Sequence, residues 1–285
     1  MVLLSLPQET MAAPTEQRDE GGIFGTQRED LWWVPPTIIA IGFTAFIVYS
    51  TWAAWVGEHF FTGLPEAAAA AQGTNYLSPF YSPCLLQGCE HGFLAGVIPL
   101  EIGTISPAFF ILWAPLGFRA TCYYYRKAYY RSYFADPPAC AVDEPRDDYQ
   151  GETSFPFILQ NIHRYFLPFS LALVGFLTYD AILAFKFSGG WGIGVGSIVL
   201  SLNAILLATY TFGCHSLRHL VGGGKDCFTC DEGDETVAKK SWDFVTFWNE
   251  NHMLWAWLSL FWVAFADLYV RLVSMGVIQD LHIVF

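Results

Sequence analysis

Residues 166–187, FLPFSLALVGFLTYDAILAFKF, and residues 191–211, WGIGVGSIVLSLNAILLATYT, decide the fold. Each run matches the roughly 20 apolar residues that a helix needs to cross the hydrocarbon of a bilayer. Only Ser188, Gly189 and Gly190 separate them. In lipid every backbone group must bond within its own segment, so both runs read as α-helices. A connection this short makes them an antiparallel hairpin. Working outward, three further runs meet the same test: Val34–Trp55, Leu94–Phe118 and Met253–Val273. The expected architecture is an all-α integral membrane protein, a bundle of five transmembrane helices.

Composition agrees. The chain has 285 residues, of which 54% are hydrophobic and 14% charged. Ordinary soluble domains carry roughly 25% charged residues, so there is too little charge here for a water-facing surface. Mean hydropathy is +0.36. The first thirty residues are polar and acidic and lack the basic start and apolar stretch of a cleaved signal peptide. The net charge of −12 excludes nucleic-acid binding as a main role.

Lys and Arg set the orientation. Arg18 and Arg28 precede the first span. Arg119, Arg126, Lys127, Arg131, Arg146 and Arg164 lie between the second and third, and Arg218, Lys225, Lys239 and Lys240 between the fourth and fifth. Gly57 to Gly92 has none. By the positive-inside rule the N-terminus is cytoplasmic and the C-terminus periplasmic. The expected organisation is a cytoplasmic tail, 1–33, a membrane domain, 34–275, and an outer tail, 276–285. The membrane domain has an outer loop, 57–93, and inner loops, 119–162 and 214–250. Gly192, Gly194 and Gly196 open the fourth span and would allow close helix contact. Arg126, Lys127 and Arg131 stand among six tyrosines between Tyr123 and Tyr133. That cluster suits a docked protein, phospholipid headgroups, or an interfacial aromatic belt with snorkelling cations.

Seven Cys and seven His are many for so apolar a chain. Cys84 and Cys89 fall on the oxidising side, where a structural disulfide and free thiols both remain open. Cys227-x-x-Cys230 alone is a weak zinc signal, and Cys140 is a further ligand or a plain thiol. His59 and His91 lie on the outer side, and the remaining two Cys gather with four His at the cytoplasmic helix ends. Cys122 ends the second span, and Cys214, His215 and His219 end the fourth. His163 begins the third and His252 the fifth. In an up-down bundle these ends meet at one depth. Two thiolates with two imidazoles suit a Rieske-type 2Fe–2S cluster or a zinc ion. At the other end lie Glu101, Asp180, Lys186, Asp267 and Arg271. Asp267 and Arg271 are four residues apart and are expected to pair, with a proton path or second ligand site as the alternative.

Five motifs carry a family resemblance: TCYYYRKAYY at 121–130, PPACAV at 137–142, HRYF at 163–166, GCHSLRHL at 213–220 and NHMLWAW at 251–257. Together they resemble the membrane-anchor subunit of actinobacterial, particularly mycobacterial, succinate dehydrogenase. The resemblance implies a respiratory complex in which a flavoprotein subunit oxidises succinate and an iron–sulfur subunit passes electrons on. The anchor seats both on the cell membrane and serves quinone, which in actinobacteria implies menaquinone. Five-helix anchors of the wider family commonly carry two b haems held by histidines of the first four helices. This sequence departs from that pattern, with Cys122 where a proximal haem wants His and no His inside the first three spans. The cluster, with Cys122, Cys214 and two of His163, His215, His219 and His252 as ligands, is therefore the expected cofactor, and haem b the alternative. Arg119, Tyr123, Arg218, Asn249 and His252 lie at the depth expected of a quinone site. A small transporter using the intramembrane carboxylates is the rival class.

Overall fold

The computed structural model describes residues 22–63, 72–85, 106–145, 155, 157–223, 227 and 237–285. Eight α-helices are found among them. Helix α1 is Val34–Val56, α2 Ala108–Ala120, α3 Tyr123–Ser132 and α4 His163–Leu183. Helix α5 is Val195–Phe212, α6 His215–Val221, α7 Val237–Asn249 and α8 His252–Ser274. Among the described residues four helical stretches are long and apolar enough to cross a membrane: Val34–Val56, Ile158–Leu183, Val195–Phe212 and His252–Ser274. The expected second span is represented by α2, 13 residues that start after Pro107; residues 94–105 lie outside the described part.

Local chemistry sets the ends. Pro35 and Pro36 occupy the first turn of α1, where a missing N–H is tolerated, and Gly57 closes the helix at φ 66°. Helix α4 packs on α5, α5 on α8, and α2 on α4. Helix α1 is the least enclosed. Its Ile38, Ile41, Val48 and Trp55 are all exposed, a surface suited to hydrocarbon rather than water.

Two boundaries differ from the sequence reading. The third span ends at Leu183, because Lys186–Phe187 forms strand β1. The fourth begins at Val195, because Gly190–Gly194 forms strand β2. The two strands make a hairpin with Phe187 opposite Gly190, so Ser188 and Gly189 are its turn. Near the C-terminus His282–Val284 forms strand β3, antiparallel to β2. The glycines serve this sheet and the cap beside it more than a helix contact. A side chain on Gly192 would strike the Ile283 carbonyl, and one on Gly194 or Gly196 would strike Tyr76. Glycine is also a poor helix former, by about 1 kcal/mol against alanine.

The same end of the bundle is capped by residues 72–85, in which Tyr76, Ser78, Phe80, Tyr81 and Cys84 are buried. Cys84 is in a disulfide, as is Cys227; Cys89 and Cys230 lie outside the described residues. Beneath this cap Arg271 donates Nε to Asp267 at 2.8 Å, Nη1 to the Glu58 carbonyl at 2.6 Å and Nη2 to the Ala53 carbonyl at 2.7 Å. Asp267 also accepts from Tyr49 at 2.6 Å and from Ser78. The expected pairing is thus present, inside a larger network. Asp180 accepts from Ser82, Lys186 is exposed, and Glu101 lies outside the described residues.

Candidate functional site

The two buried thiols are placed by the same backbone device. Helix α2 ends at its C-cap Thr121, and the next residue, Cys122, is the N-cap of α3 with φ −70° and ψ 133°. Helix α5 ends at Gly213, and Cys214 is the N-cap of α6 with φ −69° and ψ 136°. In each case one extended residue turns the chain between a long helix and a short one. The turn directs the side chain back into the bundle, leaving Cys122 3% and Cys214 1% exposed. Both thiols pack in one apolar cluster with Phe118, Tyr125, Tyr210 and Leu260.

The histidines come from the returning helices, His163 as first residue of α4 and His252 as first residue of α8. They meet the thiols crosswise. His163 Nε2 lies 3.2 Å from Cys214 Sγ, and His252 Nε2 lies 4.0 Å from Cys122 Sγ. Aromatic rings fix both imidazoles. His163 stacks on Phe118 with centroids 4.3 Å apart, and His252 stacks on Tyr210 at 5.0 Å. The Thr121 hydroxyl is 3.0 Å from His163 Nδ1. His252 Nδ1 is buried and has no hydrogen-bond partner among the described residues. Asn249 donates Nδ2 to the Gly213 carbonyl at 2.6 Å, pinning the Cys214 turn to the end of α7. Gly213 has to be small, because a Cβ there would sit 3.0 Å from His252 Nδ1 and 3.0 Å from the Trp248 carbonyl.

Electrostatics at the thiols run in two directions. Burial pushes the Cys122 thiol up from its ordinary value, opposed by the Tyr210 hydroxyl and the N–H groups of Tyr124 and Tyr125. Burial likewise pushes Cys214 up, opposed by the N–H groups of Leu217 and Ser216. Left to themselves both are neutral thiols, and a bound cation would take them as thiolates. Arg119 supplies fixed positive charge beside them. Its guanidinium lies 4.8 Å from the Tyr210 ring centre and donates to Ser259 Oγ at 3.0 Å and to the Ala256 carbonyl at 3.2 Å.

The structure thus brings together Cys122, Cys214, His163 and His252. His215 and His219 are exposed on α6. The four convergent side chains stand as two thiol–imidazole pairs; among the described residues no three His, Cys, Asp or Glu side chains gather around a single metal position. Of the residues expected at quinone depth, Arg119 and His252 line the same interior, and Asn249 serves the Gly213 turn. Tyr123 is 54% exposed, and Arg218 stacks over Trp242 at 4.1 Å with its Nε unpartnered. Cys140 is a free, exposed thiol. Sequence reasoning missed Thr121 and Tyr210. Thr121 stands directly before Cys122, and that adjacency was the available signal. Tyr210, one turn before Cys214, reads as one more apolar helix residue.

Fold and site together define a mostly helical, membrane-type protein that buries a thiol–imidazole set at one end of its bundle. The chain belongs to the family of the actinobacterial succinate dehydrogenase subunit SdhC, whose description matches residues 34–276. Among solved structures it is similar to a chain of the Mycobacterium smegmatis Sdh1 complex in the apo form. Identity is 41%, coverage is 91% of this chain and 94% of that one, and the TM-score is 0.76. No curated protein matches the chain. The family expected from the five motifs is the family found, and the chain is a membrane anchor subunit of a succinate dehydrogenase complex.

Proposed function

We infer that this chain holds the flavoprotein and iron–sulfur subunits of a succinate dehydrogenase on the cytoplasmic face of the plasma membrane and serves the delivery of their electrons to a quinone, menaquinone by family resemblance. The bundle has five spans, α2 being the inner part of the second, with the N-terminus in the cytoplasm and the C-terminus outside. The Lys and Arg distribution supports that orientation. The crossed pairs Cys122–His252 and Cys214–His163 are the observation that carries the proposal.

The residues present fit a Rieske-type 2Fe–2S cluster. Two thiols and two imidazoles are the donor set such a cluster takes, and the buried His252 Nδ1 is a polar atom this chain leaves unpaired. Cys122, Cys214, His163 and His252 would hold it. When bound, such a cluster accepts and releases single electrons. The chain's own contribution is placement and dielectric. Phe118, Tyr125, Tyr210 and Leu260 keep water from the sulfur atoms. Backbone N–H groups of α3 and α6 favour negative charge on sulfur, and Arg119 adds a fixed cation.

Reduction of a quinone consumes two electrons and two protons, so its site needs donors for the carbonyl oxygens and a route to water. Arg119, Tyr123 and Arg218 are the candidate donors; Arg119 reaches the interior through its bonds to Ser259 and the Ala256 carbonyl, Tyr123 is 54% exposed and Arg218 stacks over Trp242. The basic, Tyr-rich helix α3 is the docking face for the iron–sulfur subunit, its exposed rim also suiting phospholipid headgroups.

The purified complex is predicted to contain acid-labile sulfide beyond that of its soluble iron–sulfur subunit, with a histidine-ligated 2Fe–2S EPR signal that is absent in Cys214→Ser. A reduced haem b absorption band with no excess sulfide would defeat the cluster and leave the anchor role standing.

A further inference from the structure

Thr121 is the C-cap of α2 and the residue before Cys122. Its hydroxyl is 2.7 Å from the Gly117 carbonyl, four residues back along the helix. A carbonyl only accepts, so the single hydroxyl hydrogen is used there. Toward His163 Nδ1, 3.0 Å away, the same oxygen has only lone pairs to offer. Nδ1 must then carry the ring proton. In the neutral ring that leaves Nε2 bare, and Nε2 is the atom that faces Cys214 Sγ at 3.2 Å. Stacking on Phe118 at an interplanar angle of 17° prevents the ring from turning to exchange its two nitrogens.

The second imidazole lacks this provision. His252 also aims Nε2 at a thiol, but its Nδ1, against Gly213, is buried without a partner among the described residues. One histidine is oriented through a hydrogen bond, the other by stacking alone.

We propose that Thr121 is a positioning residue that fixes His163 as the Nδ1–H tautomer and so selects Nε2 as the nitrogen offered to the thiol-lined site. Its functional consequence rests on the cluster reading above; the tautomer itself does not. Outer partners that hold a ligating histidine typically contribute 10–100-fold in metal affinity, and the hydrogen-bond chain from the Gly117 carbonyl through Thr121 to His163 has that form. Gly117 leaves room beside this chain for the Phe166 ring of α4, which a Cβ there would strike.

The test compares the whole complex, labelled with 15N-histidine, as wild type, Thr121→Val and Thr121→Ser, with His163→Gln to assign the resonance. Two quantities are read: which ring nitrogen of His163 carries the proton, and how fast iron is lost to a chelator. Wild type is expected to show Nδ1–H. Thr121→Val keeps the shape, divides the proton between both nitrogens and retains iron about 10–100-fold less well. Thr121→Ser restores both quantities. A Val variant with the wild-type tautomer overturns the proposal, even if it loses iron, because the residue then acts through packing. A wild-type ring protonated at Nε2 overturns it as well. A wild-type Nδ1–H ring in a complex without excess iron or sulfide supports the tautomer assignment while defeating the cluster reading, so the two failures are distinguishable.

Discussion

At one end of the bundle, Arg271 spends all three of its nitrogens on protein oxygens, and both oxygens of Asp267 are bonded. At the other end, His252 Nδ1, Arg218 Nε and the Trp255 indole are buried without partners among the described residues, and two thiols face imidazoles across ordinary contact distances. Both ends bury polar groups in an apolar chain, and the charged pair at the Arg271 end carries the larger desolvation cost. The difference lies in completeness. A closed network holds a loop and several helices in place and has no valence left for a ligand. An open one keeps donors in reserve for something the chain alone does not supply. The buried carboxylate and guanidinium pair as their spacing in the sequence led one to expect. The plainer thiols and imidazoles form the candidate site.

That contrast predicts where each substitution will register. The largest effect on stability belongs to Arg271→Met, which leaves Asp267 buried and uncompensated. Removing one partner of a buried pair costs about 3–5 kcal/mol, so the purified complex should melt well below wild type. Its EPR signal at the Cys/His end should keep the wild-type line shape. Replacing both residues together, as Asp267→Leu with Arg271→Met, should recover much of the loss. A melting curve unchanged by Arg271→Met would mean that the outer network holds nothing.

Gly213→Ala sharpens the contrast from the other side with a smaller effect. The new methyl group would lie 3.0 Å from His252 Nδ1 and from two backbone carbonyls, so its neighbours must give by a few tenths of an ångström. The φ of −78° is open to any residue, so the cost is overpacking alone, about 1 kcal/mol. Melting should fall slightly, while the EPR line shape, which reads the His252 position, should change. An altered melting temperature with an unaltered line shape would place His252 outside the ligand set.

Four of the spans were legible because hydropathy is a sum over twenty residues, and no single side chain decides it. The five motifs were legible because they concentrate unusual residue types at helix ends. What escaped was whatever depends on a single turn of backbone. His215 follows Cys214 in the chain and stood among four histidines between which the sequence did not choose. Cys214, however, is an extended N-cap residue, so α6 begins at His215 and carries that ring outward. The imidazole that meets Cys214 comes instead from His163, 51 residues earlier. The strand at Gly190–Gly194 escaped for a similar reason. Its glycines leave room for Tyr76 and the C-terminal strand, neighbours that no local pattern announces.

The account depends most on the space between the crossed pairs at the Cys/His end. Diffraction from crystals of the assembled complex, collected on both sides of the iron absorption edge, would locate iron without reference to any assigned chemistry. Iron peaks bounded by Cys122, Cys214, His163 and His252 are the predicted result. An anomalous map with iron in the soluble subunit and none among those four side chains would contradict it.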